Sequence, residues 1–265
     1  MRRQHFIRTR QLGTVVSLFV ACSPLPHHAH AAEPADPIAQ RSDNQPKQMT
    51  WAGGQVVGDD WAVYSGTSFA LTGSIIDNGW RLRLVGGYAR YSYAGSRRVS
   101  GERQPVTFMG QSGFADVLVG HQVRTGNLTI KAFAGISSVG HTVTPFDPSN
   151  DAVGYKYGAS GAFEAWLNLN DRLWLSTETT YSTVFNSFGT TLRSGYRIQP
   201  ALSIGLETGA IGNDDHFAGR AALFAAFDFG MFADNDSYLR VSAGSSGDRD
   251  IDIKPYAAIS VSLKY

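Results

Sequence analysis

The sequence predicts an all-β fold, a single antiparallel transmembrane β-barrel of about twelve strands. Three observations predict it. Apolar residues alternate with small or polar ones along the C-terminal segment 255–265. The chain contains 29 glycines, 15 phenylalanines and 11 tyrosines, set in short alternating segments with turn residues between them. After the first 48 residues, no apolar run is long enough to cross a membrane as a helix.

The C-terminal segment has two distinct faces, because side chains in a strand point alternately to opposite sides. One face carries Ala257, Ile259, Val261, Leu263 and Tyr265, and the other carries Ala258, Ser260, Ser262 and Lys264. Such alternation also occurs in soluble sandwiches, but a continuous apolar face on an exposed edge strand would invite aggregation. A bilayer would cover it. The terminal aromatic residue also resembles the assembly signal of bacterial outer-membrane barrels.

The first 48 residues are predicted to lie outside the barrel. Residues 1–32 combine a basic start, a short apolar run over 12–21 and small residues at 29–31, which together predict a secretory signal peptide. Residues 33–48 are rich in Pro, Ala, Asp and Gln and predict a disordered periplasmic lead-in. Cys22, the chain's single cysteine, would leave with the signal peptide or, in a lipoprotein, would carry lipid. The barrel is therefore expected to fold without disulfides.

Turn signals divide residues 49–265 into about twelve alternating segments. Tight turns are predicted at 77–79, 125–127, 170–172 and 199–201, and longer loops at 94–104, 144–151, 213–215 and 245–252. The predicted strands lie near 49–57, 61–75, 79–93, 105–124, 127–143, 152–169, 172–185, 188–199, 202–212, 217–229, 237–245 and 254–265. An even count places both chain ends in the periplasm, as closed antiparallel barrels require. The first strand and the long connection at 230–236 are the weakest parts of this assignment.

Alternation assigns one face of each strand to the lumen. The charged residues on this face are Arg81, Arg83, Lys131, Lys156, Arg193, Arg197, Arg220, Arg240 and Lys264, with Asp116, Glu164, Glu178, Glu207 and Asp228. A turn centred on Pro200 would place Arg193 directly opposite Glu207, with Glu178 one strand over. We therefore predict a lumen-lining charged cluster of Glu178, Arg193, Arg197 and Glu207, since opposite charges across strands stabilise a sheet. It is either a network that plugs a narrow barrel or a net-positive channel for anionic or polar solutes.

Two tryptophans form a second candidate site. Trp166 and Trp174 face each other across the predicted turn at Asn170, on the lumen side. Aromatic rings at a lumen mouth could stack on sugar rings, so this pair is a candidate for glycan binding. The alternatives are an interfacial aromatic girdle and a packed hairpin end.

Catalytic motifs are not found in the sequence. It has no G-x-S-x-G elbow, no GxGxxG after a strand, no phosphate-binding P-loop and no H-E-x-x-H. A non-enzymatic protein without a cofactor is therefore expected. The alternative is an outer-membrane enzyme acting on lipid or glycan, since His141 and His216 are predicted near the extracellular rim and triads can assemble from distant positions.

Aspartates are frequent in the predicted outer loops. They are Asp59, Asp60, Asp147, Asp151, Asp214, Asp215, Asp248, Asp250 and Asp252. Their oxygens would suit calcium or magnesium shared with lipopolysaccharide, but no loop has EF-hand spacing. Solvated loop charge without a metal is the favoured interpretation. The net charge of +1 gives no indication of a nucleic-acid partner.

Segment 79–93, Gly-Trp-Arg-Leu-Arg-Leu-Val-Gly-Gly-Tyr-Ala-Arg-Tyr-Ser-Tyr, resembles the early core of the cellulose biosynthesis protein BcsS family. Segment 64–73 and the strand that begins at Pro255-Tyr256 are also similar, so the resemblance extends from about Trp51 to Tyr265. It implies a non-enzymatic outer-membrane accessory of Gram-negative bacteria to the biosynthesis or secretion of cellulose or another exopolysaccharide. A general porin or structural barrel is the alternative. The implied partners are outer-membrane lipid and lipopolysaccharide, the polysaccharide, and cellulose synthase components.

Overall fold

The described residues form one closed antiparallel barrel, as the alternation predicts. The computed structural model describes residues 45–99, 102–148, 150, 152–214, 216–229, 237–248 and 252–265. Its twelve strands are β1 (Gln48–Val57), β2 (Asp60–Ala70), β3 (Gly79–Val99), β4 (Glu102–Thr125), β5 (Leu128–Thr144), β6 (Gly154–Asn168), β7 (Leu173–Ser182), β8 (Ser187–Gln199), β9 (Leu202–Gly212), β10 (Phe217–Asp228), β11 (Ser237–Asp248) and β12 (Ile253–Lys264). Each strand pairs with its neighbour in sequence, and β1 closes the barrel against β12. Closure pairs both edge strands, which removes the exposed edges of an open sheet.

The barrel closes where the two chain ends meet. Met49 pairs with Lys264, and the pairing continues along the strands to Val57 and Tyr256. The backbone N–H of Gln48 donates to the carbonyl of Tyr265 at 2.8 Å, and the N–H of Tyr265 donates back at 2.9 Å. We call this end of the barrel periplasmic and the opposite end extracellular, as in other barrels of this type.

The outward face is apolar and exposed. Its large exposed side chains include Val63, Leu84, Val117, Val119, Ile136, Phe163, Leu192, Ile204, Leu206, Leu223, Val241, Ile259, Val261 and Leu263. Aromatic side chains border this band at both ends, where Trp61 contacts Tyr88 near the extracellular end and Phe227 contacts Phe229 near the periplasmic end. An apolar band between two aromatic girdles is the outer surface of a membrane-spanning barrel, because lipid covers it. None of the described segments is a helix suited to crossing a membrane.

The predicted loop at 94–104 is wrong, because β3 and β4 continue through most of it. Pairing extends to Val99 and Glu102, and the two strands contain 21 and 24 residues. A barrel strand needs only about 9–11 residues to cross a bilayer. The hairpin therefore projects beyond the membrane, where Tyr93 and Phe108 form a small buried core. The sequence predicts a loop here because the segment is rich in Gly, Ser and Arg. A strand that lies outside the membrane needs no lipid-facing apolar side chains, so its alternation is not visible in the sequence.

The predicted second strand is also too long. β2 ends at Ala70, and residues 71–78 fold back into the periplasmic opening, so that Ser74 and Ile75 are each 2% exposed. Buried Arg81 donates hydrogen bonds to three carbonyl groups of this connection. Those bonds satisfy backbone groups that β pairing would otherwise satisfy. Residues 71–78 are therefore packed as part of the barrel interior.

Several predictions lie outside the described residues. They are the signal peptide (1–32), most of the lead-in (33–48) and the connection at 230–236. Residues 45–47 of the lead-in precede β1, which begins at Gln48.

Candidate functional site in the lumen

Side chains fill the lumen in three layers. An aromatic layer around Trp166 and Trp174 lies at the periplasmic end, a belt of paired charges lies in the middle, and an aromatic cap lies at the extracellular end. Small inward residues on some strands, such as Ser260 and Ser262 of β12, leave room for the long charged side chains of other strands. The same period-two alternation that gives a lipid-facing surface therefore gives this polar interior.

Arg193 is the centre of the charge belt. It is the direct cross-strand partner of Glu207, the arrangement that the turn at Pro200 predicts. Its Nε lies 2.6 Å from Glu207 Oε2, and its Nη1 lies 2.9 Å from Glu178 Oε1. Arg193 and Glu207 are each 1% exposed. Buried charges at this depth require pairing, because removing an ion from water costs several kcal/mol.

A second group of charges continues the belt on the other wall. Lys131 Nζ lies 3.2 Å from Glu164 Oε2, and Arg83 contacts the other oxygen of the same carboxylate. The Arg83 guanidinium also lies 3.7 Å from the centroid of the Phe133 ring, a cation–π contact. Sequence reasoning placed these charges in the lumen but did not bring them together. Lys131 and Glu164 are direct cross-strand partners. Predicting this pair from the sequence would require the register between β5 and β6, which the long connection 145–153 does not fix.

Arg197 does not belong to the belt, which corrects the predicted cluster. It donates to the carbonyl of Asp171 at 2.9 Å and to Asn168 Oδ1 at 2.7 Å, near the periplasmic end. Arg197 shares the inward face with Arg193, but four residues of strand place it about 13 Å further along. The alternation of side chains predicts which face of the strand a residue lies on but not its depth along the barrel, so it could not separate Arg197 from the belt.

The two candidate tryptophans are buried against each other. Trp166 and Trp174 stack with ring centroids 4.1 Å apart and are 4% and 1% exposed. Asn168, not Trp166, is the direct cross-strand partner of Trp174, so the pair is diagonal. Phe224 covers Trp174 further, with a centroid distance of 5.5 Å. Glycan stacking stays a prediction that would require these rings to become exposed.

The extracellular cap is built from rings on three strands. Tyr93 stacks on Phe108 with centroids 5.2 Å apart, and Tyr91 stacks on His141 at 5.8 Å. Tyr93 also donates its hydroxyl hydrogen to Asp147 Oδ2 at 2.8 Å. The cap therefore ties the projecting hairpin to the connection between β5 and β6.

His141 is the fourteenth residue of β5, past the roughly 9–11 residues that cross a bilayer, and both of its ring nitrogens are engaged. Nδ1 donates to the carbonyl of Ala152, so Nε2 accepts the hydroxyl hydrogen of Tyr91. Burial lowers the pKa of His141 to about 4, so the ring is neutral at pH 7. His216 lies separately, in the connection between β9 and β10. A catalytic role for either histidine stays a hypothesis.

Two predicted loop aspartates are not solvated, which corrects the sequence interpretation. Asp60 accepts a hydrogen bond from the backbone N–H of Ser92 at 2.9 Å, and Asp60 and Asp147 are both buried. Burial raises the pKa of Asp60. Within the described parts of the chain, no group of three or more His, Cys, Asp or Glu residues could hold a metal ion.

Small cavities adjoin the charge belt within the described part of the lumen. One of about 50 Å³ adjoins Asp116, Ser137 and Ser160, and one of about 10 Å³ adjoins Arg193 and Glu207. A single water needs roughly 10–15 Å³. The larger cavity therefore has room for a few waters and the smaller one for about one water or small ion, and neither admits a sugar ring.

Comparison with known proteins identifies the family. A protein-family model described as cellulose biosynthesis protein BcsS matches residues 49–265. No curated protein matches the sequence. Among solved structures, the transport unit of the autotransporter AIDA-I from Escherichia coli is 12% identical with a TM-score of 0.51, over 86% of this chain and 92% of that one. At this identity the likeness shows the fold alone.

Two further structures align less closely. The TodX deltaS2S3 mutant monoaromatic hydrocarbon channel is 10% identical with a TM-score of 0.48, over 83% of this chain and 90% of that one. The KdgM porin is 10% identical with a TM-score of 0.45, over 82% of this chain and 99% of that one. The family match covers the whole barrel from β1 to the C-terminal residue, and the chain therefore belongs to the cellulose biosynthesis protein BcsS family.

Proposed function

We propose that this protein is a non-enzymatic outer-membrane accessory to cellulose production, and that it acts at the extracellular side of the membrane without passing glycan through its own lumen. The family description supports the connection with cellulose biosynthesis. The lipid-facing band between two aromatic girdles supports a place in the outer membrane.

The filled lumen is the observation that carries this proposal. Buried ion pairs span it in the middle, and the connection at 71–78 folds into its periplasmic opening. The cavities beside the belt have volumes of about 50 and 10 Å³. A polysaccharide strand would have to break several buried ion pairs to pass, and each broken pair leaves a costly uncompensated charge.

The projecting β3–β4 hairpin is the surface that we propose for contact with the polysaccharide or with cellulose synthase components. It extends well beyond the length that crosses a bilayer, and Tyr91, Tyr93 and Phe108 form a buried core within it. Near its tip it carries the exposed residues Arg97 and Arg103. Cationic side chains on a projecting hairpin suit polar glycan or an acidic protein surface.

Gene deletion and complementation test this function. Deletion should lower surface cellulose while growth on small solutes is unchanged, and the intact gene should restore cellulose. A variant in which Gly95 is joined to Val106 through an Asn-Gly turn should fold, shift on gels only after heating, and fail to restore cellulose. The matched control Gly219→Ala should restore it. Normal cellulose in the deletion strain would contradict the proposal.

Planar bilayers test the alternative of a general porin. A filled lumen should give little steady conductance, whereas a porin would conduct and would change its ion selectivity on charge reversal at Arg193. The enzyme alternative predicts an activity on lipid or glycan that is lost on replacing His141 or His216.

A further inference from the structure

The small lumenal cavity is enclosed by the wall of β1, β11 and β12 on one side and by the charge belt on the other. Arg193, Glu207, Arg220, Arg240, Tyr256 and Ser260 are among its lining residues. Arg240 of β11 and Ser260 of β12 are direct cross-strand partners. Both are 4% exposed, so the cavity lies deep within the barrel.

Positive charge exceeds negative charge around this cavity. Three guanidinium groups (Arg193, Arg220 and Arg240) line the cavity together with one carboxylate, that of Glu207. Glu178, the other carboxylate of this part of the belt, pairs with Arg193, so the lining of the cavity remains net positive. A net positive lining in a low-dielectric interior favours an anion in the cavity.

Both carboxylate oxygens of Glu207 are already engaged. Glu207 Oε2 accepts from Arg193 Nε at 2.6 Å, and its Oε1 accepts from the Tyr256 hydroxyl at 3.1 Å. Arg220 Nε lies 3.4 Å from the same Oε1, although the contact lacks hydrogen-bond geometry, and its Nη2 donates to a threonine hydroxyl. Arg240 interacts with Glu207 through its charge, but among the described residues no hydrogen bond or ion pair joins the two side chains.

Two buried donors have no partner. Neither Arg240 Nη1 nor Ser260 Oγ has a hydrogen-bond partner among the described residues, and each atom is sealed from solvent. Buried polar atoms are almost always satisfied, so each such atom requires an explanation. Both residues line the cavity, which places a cationic and a neutral donor against the same small volume.

We propose that this cavity binds a monatomic anion of the halide class, chloride under ordinary conditions, held by Arg240 and Ser260. The anion offsets the net positive charge of the lining and accepts hydrogen bonds from both donors. The volume of about 10 Å³ limits the ligand to one water or one small ion, which excludes carboxylate and phosphate groups of larger solutes. A water would satisfy the donors but would leave the lining net positive.

Anomalous diffraction tests the site directly. Crystals of the full barrel would be transferred from sodium chloride to sodium bromide at equal concentration, with data collected at the bromine absorption edge. We expect an anomalous peak within hydrogen-bonding distance of Arg240 Nη1 and Ser260 Oγ. An ordered water without an anomalous peak in this cavity would overturn the proposal.

Stability in different salts provides an independent test. The unfolding midpoint of the detergent-solubilised barrel should be higher in sodium chloride than in sodium gluconate at equal ionic strength. Arg240→Gln should abolish this difference, because it removes the charge that the anion neutralises. Arg197→Gln, which changes an arginine outside the cavity, should retain it. Equal midpoints of the unaltered protein in both salts would overturn the proposal.

A milder variant covers the case in which Arg240→Gln does not fold. Ser260→Ala keeps the arginine and removes one donor, so the chloride concentration for half of the stabilisation should rise about tenfold, the effect of one hydrogen bond. An unchanged chloride requirement in this variant would remove Ser260 from the site and contradict the assigned geometry.

Discussion

Glu164 of β6 and Glu178 of β7 are direct cross-strand partners, and both carboxylates are buried. Like charges in this position destabilise a sheet unless other groups neutralise them. Arg83 and Lys131 pair with the first carboxylate, and Arg193 pairs with the second. The two halves of the charge belt therefore meet at a repulsive pair, and the surrounding cations make that pair tolerable.

Replacing Arg193 should therefore be costly. Arg193→Gln should lower the free energy of unfolding by about 3–5 kcal/mol, because it leaves buried carboxylates without their main counterion. Urea unfolding in detergent would measure it. Arg197→Gln is the matched control and should cost less than about 1 kcal/mol, since Arg197 is partly exposed and bonds to neutral oxygens. Similar losses in both variants would contradict the central role of Arg193.

Two glycines of the barrel wall should respond differently to the same substitution. A Cβ at Gly195 would overlap the indole ring of Trp174, whereas the nearest atom to a Cβ at Gly219 is a carbonyl oxygen 3.9 Å away. Gly195→Ala should therefore lower the free energy of unfolding by about 1–3 kcal/mol through overpacking. Gly219→Ala should change it by less than about 0.5 kcal/mol. Thermal midpoints would rank the two, and the reverse order would show that the tryptophan stack is not rigid.

Acid should loosen the extracellular cap through His141. Burial lowers its native pKa to about 4, below the value of about 6.5 in an unfolded chain, so the unfolded state binds more protons between these values. The contribution of neutral His141 to stability is complete above pH 6.5 and is lost as the pH falls towards 4. Thermal midpoints between pH 7 and 4 should fall less steeply in His141→Gln than in the unaltered protein. His121→Gln is the control, and an identical pH profile for all three proteins would contradict the assignment.

The tryptophan stack can be tested for packing and for glycan binding together. Trp174→Ala should lower the free energy of unfolding by about 3–5 kcal/mol, because it opens a cavity beside Trp166 and Phe224. Trp174→Phe should recover part of that loss. If the rings serve packing, binding of the folded variants to cellulose, measured by co-sedimentation, should match the unaltered protein. Folded protein that no longer binds would instead support glycan stacking.

Whether a cross-strand pairing in this barrel could be predicted from the sequence depends on the length of the connection between the two strands. The strands of Arg193 and Glu207 are joined by the tight turn at residues 200–201. A β-bulge between Arg197 and Gln199 shifts the register by one residue, which gives the pairing that a turn centred on Pro200 predicts. Lys131 and Glu164 pair just as directly, but across the longer connection 145–153, which leaves the register open. The partner of a charged residue was therefore predictable only where the loop was short.

Strand faces were specified by local sequence, because side-chain direction alternates with every residue and depends on no distant contact. The outward positions of Ile259, Val261 and Leu263 follow from this rule alone. Depth along the barrel, the inward fold of residues 71–78 and the unpartnered donor of Arg240 were decided by tertiary structure. These features depend on how far each strand is shifted against its neighbours and on which side chains reach the same level of the lumen. That information arises only when all the strands close around one another.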